Sequence, residues 1–363
     1  MPYFAYSDRK INELKRFRQV LLSPFNTYLV DNRISVCYTL CMSIKEDIYR
    51  ALDSERGKHF SGEELAQKFG VSRNAVWKAV KALKREGLVI EAGTNRGYVL
   101  QPGNDLLTPN GIKKYLGFDC SISVERSVGS TNDEAKKMAA DLAAEWSVVF
   151  AEEQTAGRGR YSRPFYSPQG AGLYVSILLR PKFTAGDTLF ITTSAAVAVC
   201  EAIESVSGKK CAIKWVNDVF MGGKKVCGIL TEASFDVENG KLSYAIVGIG
   251  INVRDSAFPQ ELKGIATSVF GMDRYPSDTR AKLAAKLLER FRYYYERIPQ
   301  RAFYEEYKRR SFVIGKEVDV YSGDKSGEGT VLDLEKDCSL RIRYKDGKES
   351  LLVAGEVSVK PKK

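Results

Sequence analysis

Histidine is almost missing from this chain: His59 is the only one in 363 residues. A Ser/His/Asp relay or a histidine-rich metal centre is effectively excluded, and His59 is expected to pack or cap. Cysteine occurs seven times, at 37, 41, 120, 200, 211, 227 and 338, an odd number without metal-ligand spacing. That pattern fits neither a disulfide framework nor a zinc ribbon, and suits small buried hydrophobes in a reducing cytoplasm. No apolar run approaches 18 residues, and no basic, apolar, small-residue segment opens the chain. Neither a membrane span nor secretion is expected. Acidic residues fall short of basic ones, 45 against 56, which leaves a net charge of +11. Such a surplus suits a polyanionic partner, nucleic acid or nucleotide. Hydrophobic content of 44% is otherwise that of an ordinary globular protein, and the length allows two or three domains.

Residues 1–42 show neither helical nor strand periodicity, because Pro24, Asn26, Asp31, Asn32 and Arg33 break each apolar stretch. They read as a poorly ordered extension, or as upstream sequence preceding a fresh start at Met42. Residues 43–103 are compact. Ile44, Ile48 and Leu52 share one helical face, and Ser61-Gly62-Glu63-Glu64 is a capping box ahead of Leu65, Ala66 and Phe69. Gly70 stops that helix, and Ser72 caps a third in which Val76, Val80 and Leu83 line one side. The spacing predicts a helix-turn-helix whose DNA-facing side chains are Ser72, Arg73, Asn74, Lys78 and Lys81. Strand patterns at 88–90 and 98–100 flank a turn and predict a wing whose tip, with Arg96, reaches a phosphate. The plainer alternative is a three-helix interaction domain.

Residues 104–311 alternate strand and helix patterns, with neighbouring hairpins that argue for a mixed or antiparallel sheet in an α+β domain. Two strands, at 212–215 and 226–231, are expected to meet at a Gly222-Gly223 turn, and Asn239-Gly240 predicts a further hairpin. Ser130 to Glu134 offers cap side chains for a helix running to about Leu142. Between Glu152 and Arg163, two glycines and three arginines arrive within seven residues. Gly157 and Gly159 are expected to free the backbone there, while Arg158, Arg160 and Arg163 prefer phosphate or carboxylate oxygens. The stretch reads as a cationic flap, with a solvated loop as the alternative. Residues 312–363 turn to short alternating strands with glycine turns, as in a small β-barrel of the SH3 type.

Five stretches occur in order: Gly129-Ser130-Thr131-Asn132, Gln154 to Arg163, Lys214-Trp215-Val216-Asn217-Asp218, Gly223 to Leu230, and Gly248-Ile249-Gly250-Ile251-Asn252. With the helix-turn-helix before and the barrel after, the chain resembles the bifunctional biotin protein ligase and biotin operon repressor family over about residues 43–360. The resemblance implies a multidomain α+β protein: a winged helix-turn-helix, a central ligase domain like that of class II aminoacyl-tRNA synthetases, and an SH3-like barrel. It implies biotin and ATP as substrates with Mg²⁺, and biotinyl-5'-AMP as both intermediate and corepressor. The implied partners are biotin carboxyl carrier protein, operator DNA and a second copy of the chain, all in the cytoplasm.

By resemblance, Ser130, Thr131, Asn132, Gln154, Gly157, Arg158, Gly159, Arg160, Lys225 and Gly228 meet biotin. Arg158, Arg160, Arg163, Asn217 and Asn252 would meet the adenylate. Lys225, Arg160, Arg158 and Asp218 would carry the reaction, with Asp218 also able to hold Mg²⁺ or to orient Lys225. Three departures stand out. Val216 replaces the family's usual proline, with a looser turn expected, and Tyr161 stands where an arginine or glycine is common. No tryptophan near 264–268 marks an adenine site, although Phe165 stands where a tryptophan often covers biotin. A ligand-sensing regulator without ligase turnover, or a ligase for lipoate, are the alternatives.

Overall fold

The computed structural model describes residues 44–359, apart from 86–87, 94–95, 102–104, 183–187, 236–241, 256–257, 274, 277 and 324–325. The extension at 1–42 and the Asn239-Gly240 turn lie outside the described residues.

Helices α1 (Ile44–Ser54), α2 (Gly62–Phe69) and α3 (Arg73–Arg85) precede a hairpin of β1 (Ile90–Gly93) and β2 (Gly97–Leu100). The capping box at the start of α2 is complete: Ser61 Oγ accepts from the Glu64 amide at 3.0 Å, and Glu64 accepts from the Ser61 amide at 2.8 Å. Gly70 ends α2 in the left-handed conformation, and Ser72 Oγ accepts the Ala75 amide at 3.2 Å to start α3. Ile48, Leu52, Leu65, Val76, Val80, Leu83 and Leu100 then close a core of their own. Main-chain bonds between Phe60 and Tyr98 at 2.7 and 2.8 Å seat the hairpin on the segment entering α2. His59 is exposed and its Nδ1 lies 3.0 Å from the Arg96 carbonyl, so it fastens the wing.

The central sheet has seven strands in the order β3-β4-β5-β9-β8-β7-β6: Ser121–Glu125, Ser147–Ala151, Gly172–Leu179, Leu242–Asn252, Lys224–Phe235, Asp218–Met221 and Ala212–Lys214. Only β3 and β4 run parallel, so the sheet is mixed, as the adjacent hairpins suggest. Strand β7 is an addition to the two strands expected there. It is four residues long and carries no alternation of its own, and the Gly222-Gly223 turn joins it, not β6, to β8.

Strand alternation sorts the sheet's two faces. Odd positions such as Leu173, Val175, Ile177, Cys227, Ile229, Val247 and Ile249 enter the main core. There they meet α6 (Thr188–Ser207) and α7 (Thr279–Tyr295). Helix α6 is long and apolar enough to cross a membrane by length and composition, but 72% of its most apolar window is buried, and here it is the core helix. Even positions on the opposite face are packed under α5 (Thr131–Ala140) at Leu178 and Ile246. Beyond that helix most even positions become small or polar, Ser176, Gly228, Glu232, Gly248 and Gly250, with Tyr174 and Leu230 the exceptions. A sheet face that cannot form a dry core is thereby left for a site.

After α4 (Pro109–Lys113, preceding β3) and α8 (Tyr304–Arg310, following α7), five antiparallel strands form a second sheet. They are β10 (Glu317–Tyr321), β11 (Gly327–Leu334), β12 (Leu340–Tyr344), β13 (Glu349–Leu352) and β14 (Glu356–Val359). Val318, Val331, Leu340 and Ile342 belong to the same apolar cluster as α6 and α7, so no gap in the core marks residue 312. Trp215 Nε1, just after β6, donates to the Cys338 carbonyl at 2.8 Å, and Tyr304 Oη of α8 donates to that of Leu334 at 2.7 Å, tying this segment to the central domain.

Candidate active site

Glu152, at the root of the flap, is buried, and its carboxylate accepts from the Leu107 amide at 2.8 Å and from Arg280 Nη1 at 2.9 Å. Arg280 also binds Asp105 at 2.9 Å, so three charges with little access to water fix where the flap leaves β4. Two residues on, Gln154 crosses under α5. Its Oε1 accepts from the Thr131 amide at 2.9 Å and from Thr131 Oγ1 at 3.1 Å, and its Nε2 donates to Ser167 Oγ at 2.9 Å. Gln154 is therefore the side chain that caps α5. Ser130 stands at the N-cap position without a side-chain cap bond, which corrects the local capping expected of it.

The rest of the flap is a closed hairpin. The Gly159 amide donates to the Arg163 carbonyl and the Phe165 amide to that of Gly157, each at 2.8 Å, with a tight turn at 160–162. Neither glycine supplies the freedom expected of it: left-handed backbone occurs at Tyr161 (φ +56°) and Ser162 (φ +55°). Gly157 is needed for room, since a Cβ there would lie 2.6 Å from the Phe165 carbonyl. Gly159 leaves a Cβ only ordinary contact at 3.8 Å, and its amide is already spent in the hairpin.

One pocket opens under this hairpin, and twelve of the sequence-predicted site residues line it: Ser130, Thr131, Asn132, Gln154, Arg158, Gly159, Arg160, Arg163, Asn217, Asp218, Lys225 and Gly228. Gly157 and Asn252 do not. Asn252 Nδ2 instead donates to the Thr267 carbonyl at 3.1 Å, pinning a segment whose Ile265 carbonyl and Thr267 amide pair with the main chain of Lys225. The floor is Gly228 beside Gly250, where a Cβ on Gly250 would come within 2.4 Å of the Phe165 ring.

At the neutral end, Asn132 Nδ2 donates to Glu232 at 2.6 Å and Ser176 Oγ donates to Asn132 Oδ1 at 2.6 Å. Both ends of that amide are satisfied, so its orientation is set before any ligand arrives. Burial raises the Glu232 carboxyl, but hydrogen bonds from Lys136 and Asn132 and the neighbouring charges offset this and leave it below its ordinary value. Arg158 grips Asp133 through both guanidinium nitrogens and lies 3.9 Å from Glu232. Its hydrogen bond holds the Asp133 carboxyl below the usual range. Arg158 is thereby a strut between flap and helix.

The cationic end holds Arg160, Arg163 and Lys225. Arg160 donates to the Gly355 carbonyl at 2.7 Å and to Asn217 Oδ1 at 3.3 Å, and Arg163 pairs with Glu356 at 2.9 Å. Lys225 Nζ lies 2.6 Å from Asp218. Asp218 is thus committed to the lysine, and among the described residues no group of three or more His, Cys, Asp and Glu could hold a metal ion. The looser turn expected from Val216 is not found: Tyr307 Oη donates to the Val216 carbonyl at 2.9 Å, and Asn217 Nδ2 to that of Ile229 at 2.7 Å.

Sequence reasoning missed Ser176, Glu232 and Glu356 in and around this pocket, because on their own strands they look like ordinary sheet residues, and it assigned no role to Lys214 of the 214–218 stretch, which also lines it. Ser72, just before α3, and Arg73, Asn74, Lys78 and Lys81 on it are all exposed, as is Arg96 in the wing. Trp77, also missed, is 49% exposed among them with Lys81 Nζ 4.7 Å from its ring.

An α+β sheet that opens an amide-lined, arginine-capped pocket, in a chain whose first helices form a helix-turn-helix, defines the class. Residues 124–252 match the Biotin/lipoate A/B protein ligase family, and residues 45–99 match an HTH domain. The bifunctional ligase/repressor BirA of Bacillus subtilis is 36% identical over 234 residues, 62% of this chain and 71% of its own length. The Escherichia coli protein of the same name is 27% identical over 84% of this chain and 94% of its own. Among solved structures, biotin protein ligase from Aquifex aeolicus in complex with biotin and ATP superposes with a TM-score of 0.56. It is 27% identical, covering 67% of this chain and 99% of that one. This chain belongs to the biotin protein ligase family, in its bifunctional ligase/repressor form.

Proposed function

We propose that the chain joins biotin to ATP as biotinyl-5'-adenylate, releasing pyrophosphate, and passes the biotinyl group to a lysine of biotin carboxyl carrier protein, the acetyl-CoA carboxylase subunit. The observation that carries this reading is one pocket with a neutral, pre-oriented amide and hydroxyl end, a glycine floor under Phe165, and a cationic far end. The ureido ring of biotin needs donors and acceptors together, which Ser130, Thr131 and Gln154 supply, with Asn132 shaping the wall. The acyl chain crosses Gly228 and Gly250. Its carboxylate then meets Lys225 and Arg160, where two anions, carboxylate and α-phosphate, must be brought face to face. Cations that strengthen their hold as charge develops serve that step without a side-chain nucleophile. Arg163 and Asn217 extend the phosphate site. Arg158 and Asn252 support it through Asp133 and the 265–269 segment, Gly157 leaves the room the hairpin needs to close, and Gly159 lines the pocket. Asp218, paired with Lys225 at 2.6 Å, orients that lysine; it is also the pocket carboxylate that would hold Mg²⁺ together with the ATP phosphates, where the ion would neutralise phosphate charge.

In this reading residues 43–103 are a winged helix-turn-helix, 104–311 a ligase domain akin to class II aminoacyl-tRNA synthetases, and 312–363 an SH3-like domain. The adenylate is also the corepressor: it favours a homodimer whose two α3 helices read a two-fold operator, in the cytoplasm. Titration of an operator-bearing DNA fragment tests the regulatory half. Biotin plus ATP should tighten binding at least tenfold over either alone, and equal affinity in all three conditions would remove the corepressor role.

Gly250→Ala tests the pocket itself. Overpacking of this kind costs about 1–3 kcal/mol, because the new methyl and the Phe165 ring cannot both stay. We expect the KM for biotin to rise roughly tenfold or more, with the KM for ATP little changed; an unchanged biotin KM would place the acid elsewhere.

A further inference from the structure

Tyr161 has no part in the chemistry above, yet it is the least ordinary residue of the flap. Its side chain is 64% exposed and its backbone is left-handed, at φ +56° and ψ +33°, with Ser162 following at φ +55°. A bulky residue keeps that conformation only where its surroundings over-determine it. Here the surroundings are two cations. The Arg160 guanidinium lies 5.2 Å and that of Arg163 5.9 Å from the Tyr161 ring centroid, both within cation–π range. Arg160 Nη2 also donates to Tyr161 Oη at 3.2 Å.

We infer that Tyr161 is a positioning residue that gathers Arg160 and Arg163 as a pair at the pocket mouth, so that the acyl phosphate meets both cations already assembled. The inference rests on the reading of those arginines as phosphate donors. Two like charges on one short turn repel each other and would sample separate rotamers. The shared Tyr161 ring, with Glu356 and the Gly355 carbonyl as further partners, holds them together. The left-handed turn at 161–162 keeps the ring within reach of both neighbours, and an extended backbone would direct it elsewhere.

Two full-length variants separate ring from backbone. Tyr161→Asn tolerates the left-handed conformation but has no ring, and Tyr161→Phe keeps the ring without the hydroxyl. Each cation–π contact at an exposed site amounts to a few-fold in affinity, so the Asn variant should raise the KM for ATP and speed adenylate dissociation about five- to tenfold. Its melting temperature should match the wild type, since the side chain is exposed, and the Phe variant should restore both constants. An adenylate off-rate in the Asn variant equal to wild type overturns the inference. So does a Phe variant as defective as Asn, which would assign the effect to the hydroxyl. If the wild-type protein itself forms no adenylate, the ligase reading fails first and the inference falls with it.

Discussion

Lys225→Ala lowers the rate of biotin-dependent pyrophosphate release by roughly 100- to 1,000-fold, the range seen when one pre-aimed donor to a developing charge is removed. The size of the effect follows from how the lysine is held. A break in register between β7 and β8 leaves Val226 without a partner and turns Lys225 toward the pocket, opposite Phe220. Its main chain is bonded on the outer side to Ile265 and Thr267, and its ammonium is fixed by Asp218 at 2.6 Å. An amine aimed in this way loses little freedom when the carboxylate and phosphate arrive. Because the side chain is partly exposed, the substitution should leave the melting temperature near wild type. Lys224→Ala, one residue earlier and outside the pocket, should leave the rate within about twofold. Single-turnover measurement of pyrophosphate distinguishes these cases, and near-normal release from Lys225→Ala would contradict its role.

Arg280→Leu unfolds the protein more easily by about 3–5 kcal/mol, the cost of stranding buried partners of an ion network. Arg280 and Glu152 are each 3% exposed. The guanidinium answers Glu152, Asp105 and the Gly172 carbonyl at once. Deleting it leaves two carboxylates facing each other out of water, where burial already pushes the Asp105 carboxyl up against the pull of Arg280. The expected readout is a lower urea midpoint with an unchanged slope. A midpoint shift worth less than about 1 kcal/mol would mean that water reaches the cluster. Because Glu152 is the root of the flap, residual folded variant should also bind biotin less tightly.

The parts of this molecule legible in the sequence are those whose cause lies within a few residues. The capping box of Ser61 and Glu64, the stop at Gly70 and the cap at Ser72 are local, and the winged helix follows from them. The arginines of the flap were equally plain. What escaped reading is set by contacts across the chain. Ser130 to Glu134 offer local cap side chains, but their helix is capped by Gln154 from 23 residues beyond Thr131. Arg158 looks in sequence like a phosphate ligand, and in the structure its guanidinium is paired with Asp133. Gly355 and Glu356 reach the flap from nearly 200 residues downstream, across a sheet whose sequence says nothing of a site. The backbone freedom that composition assigns to the flap's glycines is used by Tyr161 and Ser162, because composition shows where the backbone is permissive and not where a closed hairpin places its left-handed turn.

Incubation of the purified chain with biotin, ATP, Mg²⁺ and a biotin carrier domain, followed by intact-mass and peptide analysis of the carrier, tests the central claim most directly. One biotinyl group on a single carrier lysine, dependent on ATP and lost with Lys225→Ala, is the predicted result. A carrier that stays unmodified, or one that is labelled with lipoate and not with biotin, would contradict it.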